Sequence, residues 1–133
     1  MSLAAKFYHL PAAVHWLRAF YAYERGDVAK ALSHYHRFAR WRPPAPRREA
    51  FKATLNILQH RSKEARRVFQ SVIDQLESKG TPSENDRYVL CYSRYYAALI
   101  EGDDAERFRL AARETSPERH VSRWLCLPEE PVL

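Results

Sequence analysis

The stretch W-L-R-A-F-Y-A-Y-E-R-G-D-V-A-K-A-L-S-H-Y-H-R-F-A-R-W-R-P, Trp16 to Pro43, decides the fold. With Val14 just ahead of it, its first part puts Val14, Leu17, Tyr21 and Glu24 on one helical spacing and Trp16, Phe20 and Tyr23 on another. Two faces of one helix are therefore engaged, as stacked helix pairs require. Gly26 supplies the positive φ of a helix stop, and Asp27 is placed to cap a second helix carrying Val28, Ala31, Leu32, Tyr35, Phe38 and Ala39. Pro43, Pro44 and Pro46 cannot continue it. Working outward, Ala65 lies 34 residues beyond Ala31, and each alanine is followed four residues later by an aromatic, Tyr35 and Phe69. Thirty-four residues is the period of a helix–turn–helix repeat. A third unit has Gly102-Asp103 at its turn, Ala105 on the next helix, and Pro117 twelve residues on, as Pro43 is from Ala31.

The other elements follow from caps and breaks. Pro11 reads as the opening residue of helix one, over Ala12 to Arg25. Helix two runs to about Trp41, and helix three covers roughly Arg48 to His60, with Phe51, Thr54, Leu55 and Leu58 on one side. Ser62 is the expected N-cap of helix four, whose Ala65, Val68, Phe69, Val72, Ile73 and Leu76 repeat at three and four. Lys79-Gly80-Thr81-Pro82 is a second break, and Ser83 with Asp86 resembles a capping box. Helix five extends to Glu101, where Gly102 stops it. Helix six covers about Asp104 to Glu114, with Phe108, Ala111 and Ala112 expected inward. Ser116-Pro117 starts a short helix to about Cys126 that would cover the exposed end of the last pair, leaving 127–133 extended.

Over residues 11–117 the chain resembles a tetratricopeptide repeat protein. The resemblance implies a single all-α domain over 1–133: antiparallel helix–turn–helix pairs at about 11–44, 46–79 and 84–117, stacked as a short right-handed superhelix, with a C-terminal capping helix at 117–126. Departures from the pattern are visible. Unit two has His60-Arg61 where unit one has Gly26-Asp27, Phe38 and Val72 stand where a small residue is usual, and Arg109 stands four past Ala105 with Phe108 out of register. In such units the first helix of each pair lines a concave surface. The resemblance therefore implies a groove lined by Trp16, Phe20, Tyr23, Tyr92 and Tyr96, with Val14, Leu17 and Tyr21 packed inside. At the places of the family's carboxylate clamp stand Trp16, Phe20 and Thr54, which do not supply one.

Composition narrows the function classes. A chain of 133 residues is long enough for one real core, and three glycines in all argue against a many-turned β architecture. No run approaches the apolar length of a membrane span, and the start Met-Ser-Leu-Ala-Ala-Lys-Phe-Tyr-His-Leu does not read as a secretory signal. Cys91 and Cys126 fit no metal or redox spacing, which agrees with a cytoplasmic, reducing location. His34 and His36 project roughly 200° apart on a helix, so the six histidines suggest no metal site. No phosphate-cradling loop, nucleophile elbow or zinc-protease motif occurs, so neither catalysis nor a cofactor is expected.

What remains is binding. The formal net charge is +6, and Arg47, Arg48, Lys52, Arg61, Lys63, Arg66 and Arg67 are expected on one basic rim. The leading expectation is a non-catalytic protein-interaction module or adaptor that takes an acidic peptide or helix in the aromatic groove. Nucleic-acid binding through the Arg/Lys cluster 37–67, and self-association through the aromatic face, are the alternatives.

Overall fold

The computed structural model describes residues 3–129, with side chains from residue 13 onward. Among the described residues the chain is helical throughout, in the order α1 Leu3–Glu24, α2 Val28–Ala39, α3 Pro46–Leu58, α4 Ser62–Glu77, α5 Glu84–Glu101, α6 Glu106–Arg113 and α7 Arg119–Trp124. None of these helices is long and apolar enough to cross a membrane. Several starts follow the sequence chemistry directly. The Asp27 side chain accepts the Lys30 backbone N–H at 3.1 Å. Pro46 sits in the first turn of α3. Ser83 and Asp86 close a reciprocal capping box on α5.

Three starts differ from expectation: α7 begins at Arg119 with Glu118 at its cap position, and not at Ser116-Pro117. α1 passes through Pro11, which forfeits one i→i−4 hydrogen bond without ending the helix. Ser62 is the first residue of α4 and not its cap; Arg61 holds that position, and no side chain caps it.

The three inter-helix turns share one backbone geometry. Gly26, His60 and Gly102 have φ of 79°, 62° and 77°. The residue after each closes a 2.9 Å hydrogen bond five residues back: Asp27 N–H to Ala22 O, Arg61 N–H to Asn56 O, and Asp103 N–H to Ala98 O. This is the left-handed helix stop that glycine favours, and His60 adopts it with a full side chain. The same stop therefore joins α1 to α2, α3 to α4, and α5 to α6, giving three helix pairs.

Close packing recurs at the alanine and at the residue four beyond it. Ala31 and Tyr35, Ala65 and Phe69, and Ala105 and Arg109 are all buried. In the third pair the register holds although the residue is an arginine. Phe108 is only half-buried and Ala111 exposed, contrary to the inward set expected for this helix, while Arg109 is 5% exposed. Burying its guanidinium is tolerated because Glu106 pairs with it and the Glu129 carbonyl accepts from it.

The core is contiguous from α1 to the C-terminal segment. Phe51 of α3 meets Trp16 and Tyr23 of α1, with ring centroids 5.3 Å apart in both cases. Thr54 of α3 shares a 2.6 Å hydrogen bond with the Tyr92 hydroxyl of α5. The Thr54 hydroxyl donates to Ala50 O, so the Tyr92 hydroxyl is the donor between them.

Helix α7 takes a different course from the expected end cap. It lies across α1 and α5, the first helices of the first and third pairs. Trp124 meets Trp16 edge-on at 4.5 Å and Phe20 at 5.5 Å. Arg123 pairs with Glu24 at 3.1 Å. Val121 and Leu125 are buried, and the Tyr88 hydroxyl donates to Leu125 O. Asn85 and Glu118 exchange hydrogen bonds at 3.2 and 2.7 Å. The segment beyond it is held as well, because Arg109 and Arg113 both donate to Glu129 O. The remainder of the expected loose tail, 130–133, lies outside the described residues.

Candidate functional site

The aromatic residues expected to line a groove are brought together, but as interior. Trp16 is 9% exposed and Tyr92 1% exposed, and Phe20, Tyr23 and Tyr96 are half-buried. The reason is the path of 118–129. Trp124 covers Trp16 and Phe20, while Leu127 packs on the same core as Tyr23 and Tyr96. The surface that the first helices would offer a partner is filled by the chain's own C-terminal segment. Burial raises the hydroxyl pKa of Tyr23, Tyr88 and Tyr92, and holds that of Tyr96 at about 12.

The opposite stripe of α1 is correspondingly outside. Val14, Leu17 and Tyr21, expected to pack inward, are 40%, 61% and 61% exposed. Both stripes of α1 are apolar, so periodicity alone does not choose between them. The larger rings, Trp16 and Phe20 with Tyr23, offer more apolar area to bury and take the interior.

The seven basic residues expected on one rim divide. Arg47, Arg48 and Lys52 stand at the start of α3, and Arg61, Lys63, Arg66 and Arg67 around the start of α4. Helices joined by so short a turn run antiparallel, so the two starts point to opposite ends of the pair. Arg48 is partly structural: it donates to Pro43 O at 2.8 Å and lies 5.4 Å from the centre of the Phe38 ring. Arg66 is engaged by Glu101 at 2.7 Å and by Gln70 at 2.8 Å. Arg47, Arg61, Lys63 and Arg67 are exposed and Lys52 half-buried.

A second concentration of positive charge lies on α1 and α2. Among the described residues Arg18, Arg25, Lys30, Arg37 and Arg40 make no ion pair, and neither do Arg47, Lys52, Arg61, Lys63 and Arg67. A cavity of about 600 Å³ opens between the two helices, lined by Arg18, Tyr21, Ala22, Arg25, Asp27, Lys30 and His34. Arg25 donates to the Tyr21 hydroxyl at 3.1 Å and lies over its ring at 5.2 Å. The His15 and His34 rings stack with centroids 6.4 Å apart, and the Nδ1 atoms of both are buried without a hydrogen-bond partner. Desolvation lowers the His34 pKa, with Arg37, Arg18, Lys30 and His15 adding to the effect in that order. These effects favour the neutral form of His34.

Sequence reasoning missed this juxtaposition because His15 and His34 lie on different helices and neither has a ligand-spaced neighbour. The available signal was the charge imbalance of α2, whose sole flanking carboxylate is its cap, Asp27. Among the described residues no group of three or more His, Cys, Asp or Glu side chains is placed to hold a metal ion. Both cysteines are free, and burial raises the Cys91 thiol pKa, which disfavours a reactive thiolate there. In comparison with known proteins, no family model, no curated protein and no solved structure matches this chain.

Proposed function

We propose that this chain is a non-catalytic protein-interaction module of tetratricopeptide-like helix pairs, and that it docks an acidic amphipathic segment of a partner protein on the outer face of α1. The repeat reading is supported by the thrice-repeated turn and by the buried alanine-plus-four positions. Stacking of the pairs as a right-handed superhelix belongs to the same proposal.

One observation carries the docking reading: Val14, Leu17 and Tyr21 are exposed at i, i+3 and i+7 beside the unpaired Arg18 and Arg25. An apolar stripe with a one-signed flank fits a segment that buries aliphatic or aromatic side chains and carries carboxylates along one edge. The concave face is a second docking surface only if 118–129 leaves it.

The test is photo-crosslinking from position 17 in the native cell, followed by reconstitution with the purified crosslinked partner. Leu17→Glu and Tyr21→Ala should each weaken that complex by more than about 1 kcal/mol, as loss of an interface anchor does. Intact affinity in both variants refutes the α1 face. A self-associating protein would crosslink to its own copy. A nucleic-acid binder would crosslink to RNA or DNA and respond to Arg37→Gln and Arg40→Gln more than to Leu17→Glu.

A further inference from the structure

We infer that the cavity between α1 and α2 is a binding site for a phosphate dianion, held by Arg18, Arg25 and Lys30 with His34 on its wall. This site goes beyond protein docking and shares only Tyr21 with the exposed apolar stripe, needing neither Val14 nor Leu17.

Three features argue for it. First, charge: three full cations face a single carboxylate, Asp27, leaving a surplus of two positive charges on the lining. One Asp27 oxygen accepts the Lys30 backbone N–H, capping α2, and among the described residues Asp27 makes no ion pair with Arg18 or Arg25. Like charges held around a concavity repel one another, and a dianion between them relieves that repulsion. Second, donor geometry: two arginines and a lysine present planar forks and a point charge, the combination that recognises phosphate oxygens. Arg25 is braced by its hydrogen bond to the Tyr21 hydroxyl and its stacking on that ring, so less freedom is lost when an anion arrives. Third, size and shape: about 600 Å³ accommodates a phosphate group with a small organic body and is an ordinary volume for a small-ligand site.

His34 adds a reporter. Its pKa is lowered by desolvation and by the cations Arg37, Arg18 and Lys30, with His15 stacked beside it. An anion seated among those cations reverses the local field, so binding and protonation of His34 reinforce each other. Phosphate can arrive free, as a small phosphate ester or pyrophosphate, or on a phosphorylated side chain of a peptide. The shared chemistry is the dianionic phosphoryl group.

The experiment is calorimetric titration of the intact chain with pyrophosphate and, separately, with a short capped phosphoserine peptide and its unphosphorylated form. Each is run at low and physiological ionic strength, and His34 is followed by NMR. Saturable one-to-one binding of at least one phosphorylated probe is expected, weakened at least about tenfold in Arg18→Gln and in Lys30→Gln. Arg107→Gln, which removes a charge on α6, should leave affinity within about twofold, because exposed charges that far away are screened. The His34 pKa should rise on binding. Tighter binding of pyrophosphate than of the phosphopeptide identifies a free ligand as the source, and the reverse order identifies a phosphorylated segment. Circular dichroism confirms that the variants fold, as expected since Arg18 and Lys30 are exposed. The proposal is overturned if neither phosphorylated probe saturates, if Arg18→Gln and Lys30→Gln weaken binding no more than Arg107→Gln does, or if the His34 pKa does not move. It is overturned too if only an oligonucleotide binds, since that indicates an extended track of phosphodiesters and not a dianion site.

Discussion

Replacing His60 by glycine should stabilise this protein, because His60 occupies the position that Gly26 and Gly102 hold in the other two turns. A left-handed conformation costs an L-residue about 1–2 kcal/mol relative to glycine. Against this, glycine gives the unfolded chain extra freedom, an offset of about 0.5–1 kcal/mol. The net expectation for His60→Gly is a gain of about 0.5–1 kcal/mol, or about 2–4 °C in melting temperature for a chain of this size. The His60 imidazole is exposed and makes no side-chain hydrogen bond among the described residues, so little is lost with it. His60→Ala separates the two contributions: it removes the imidazole but keeps the strain, and should be less stable than His60→Gly by about 1 kcal/mol. The mirror experiment is Gly26→Ala. A Cβ there would meet nothing within 4 Å, so any loss measures the backbone alone and, with the same unfolded-state offset, should be about 0.5–1 kcal/mol. Urea denaturation of the three variants decides the matter. If His60→Gly is less stable than the parent while Gly26→Ala is unchanged, φ is not what governs these turns, and the argument for three equivalent units fails with it.

Ala31→Leu and Ala65→Leu should each destabilise by about 1–3 kcal/mol, since both alanines are fully buried where paired helices meet and a larger side chain must displace a neighbour; unchanged urea midpoints in both would remove the close-packing role. The protein should also lose stability at alkaline pH. Burial raises the hydroxyl pKa of Tyr35, Tyr88, Tyr92 and Tyr96, the last to about 12, so the unfolded chain releases these protons first. Their stabilising contribution is complete below about pH 10 and is lost as pH rises through the folded values. The tyrosinate absorbance of these four should therefore appear together with loss of helical circular dichroism, and ionisation of the full complement of tyrosines in a still-helical protein would contradict their burial.

Local chemistry made much of the fold legible. Gly26 and Gly102 stop helices, Asp27 and the Ser83/Asp86 pair start them, and the 34-residue spacing of Ala31 and Ala65 marks equivalent buried sites, because caps, stops and periodicity depend on residues within a few turns of each other. The unit-two turn was legible only from its spacing, since His60 carries no glycine signature. In the third unit the spacing was the better guide: Arg109 keeps the buried position that its charge would argue against, because Glu106 and the Glu129 carbonyl, one adjacent and one distant in sequence, satisfy it.

The candidate site was far less legible. The stripe Trp16, Phe20 and Tyr23 and the stripe Val14, Leu17 and Tyr21 are both apolar, and a two-faced helix does not say which face its own chain will cover. That choice was made by a segment about a hundred residues later, when Trp124 closed over Trp16 and Phe20 and turned an expected groove into core. The cationic cavity likewise needs α1 and α2 side by side before Arg18, Arg25, Lys30 and His34 face one space. The sequence by itself determined where most helices begin and end and that they pair, because those are short-range energies. The tertiary structure alone decided which faces are inside and which charges converge, because those depend on contacts between residues that only the packed chain brings within reach.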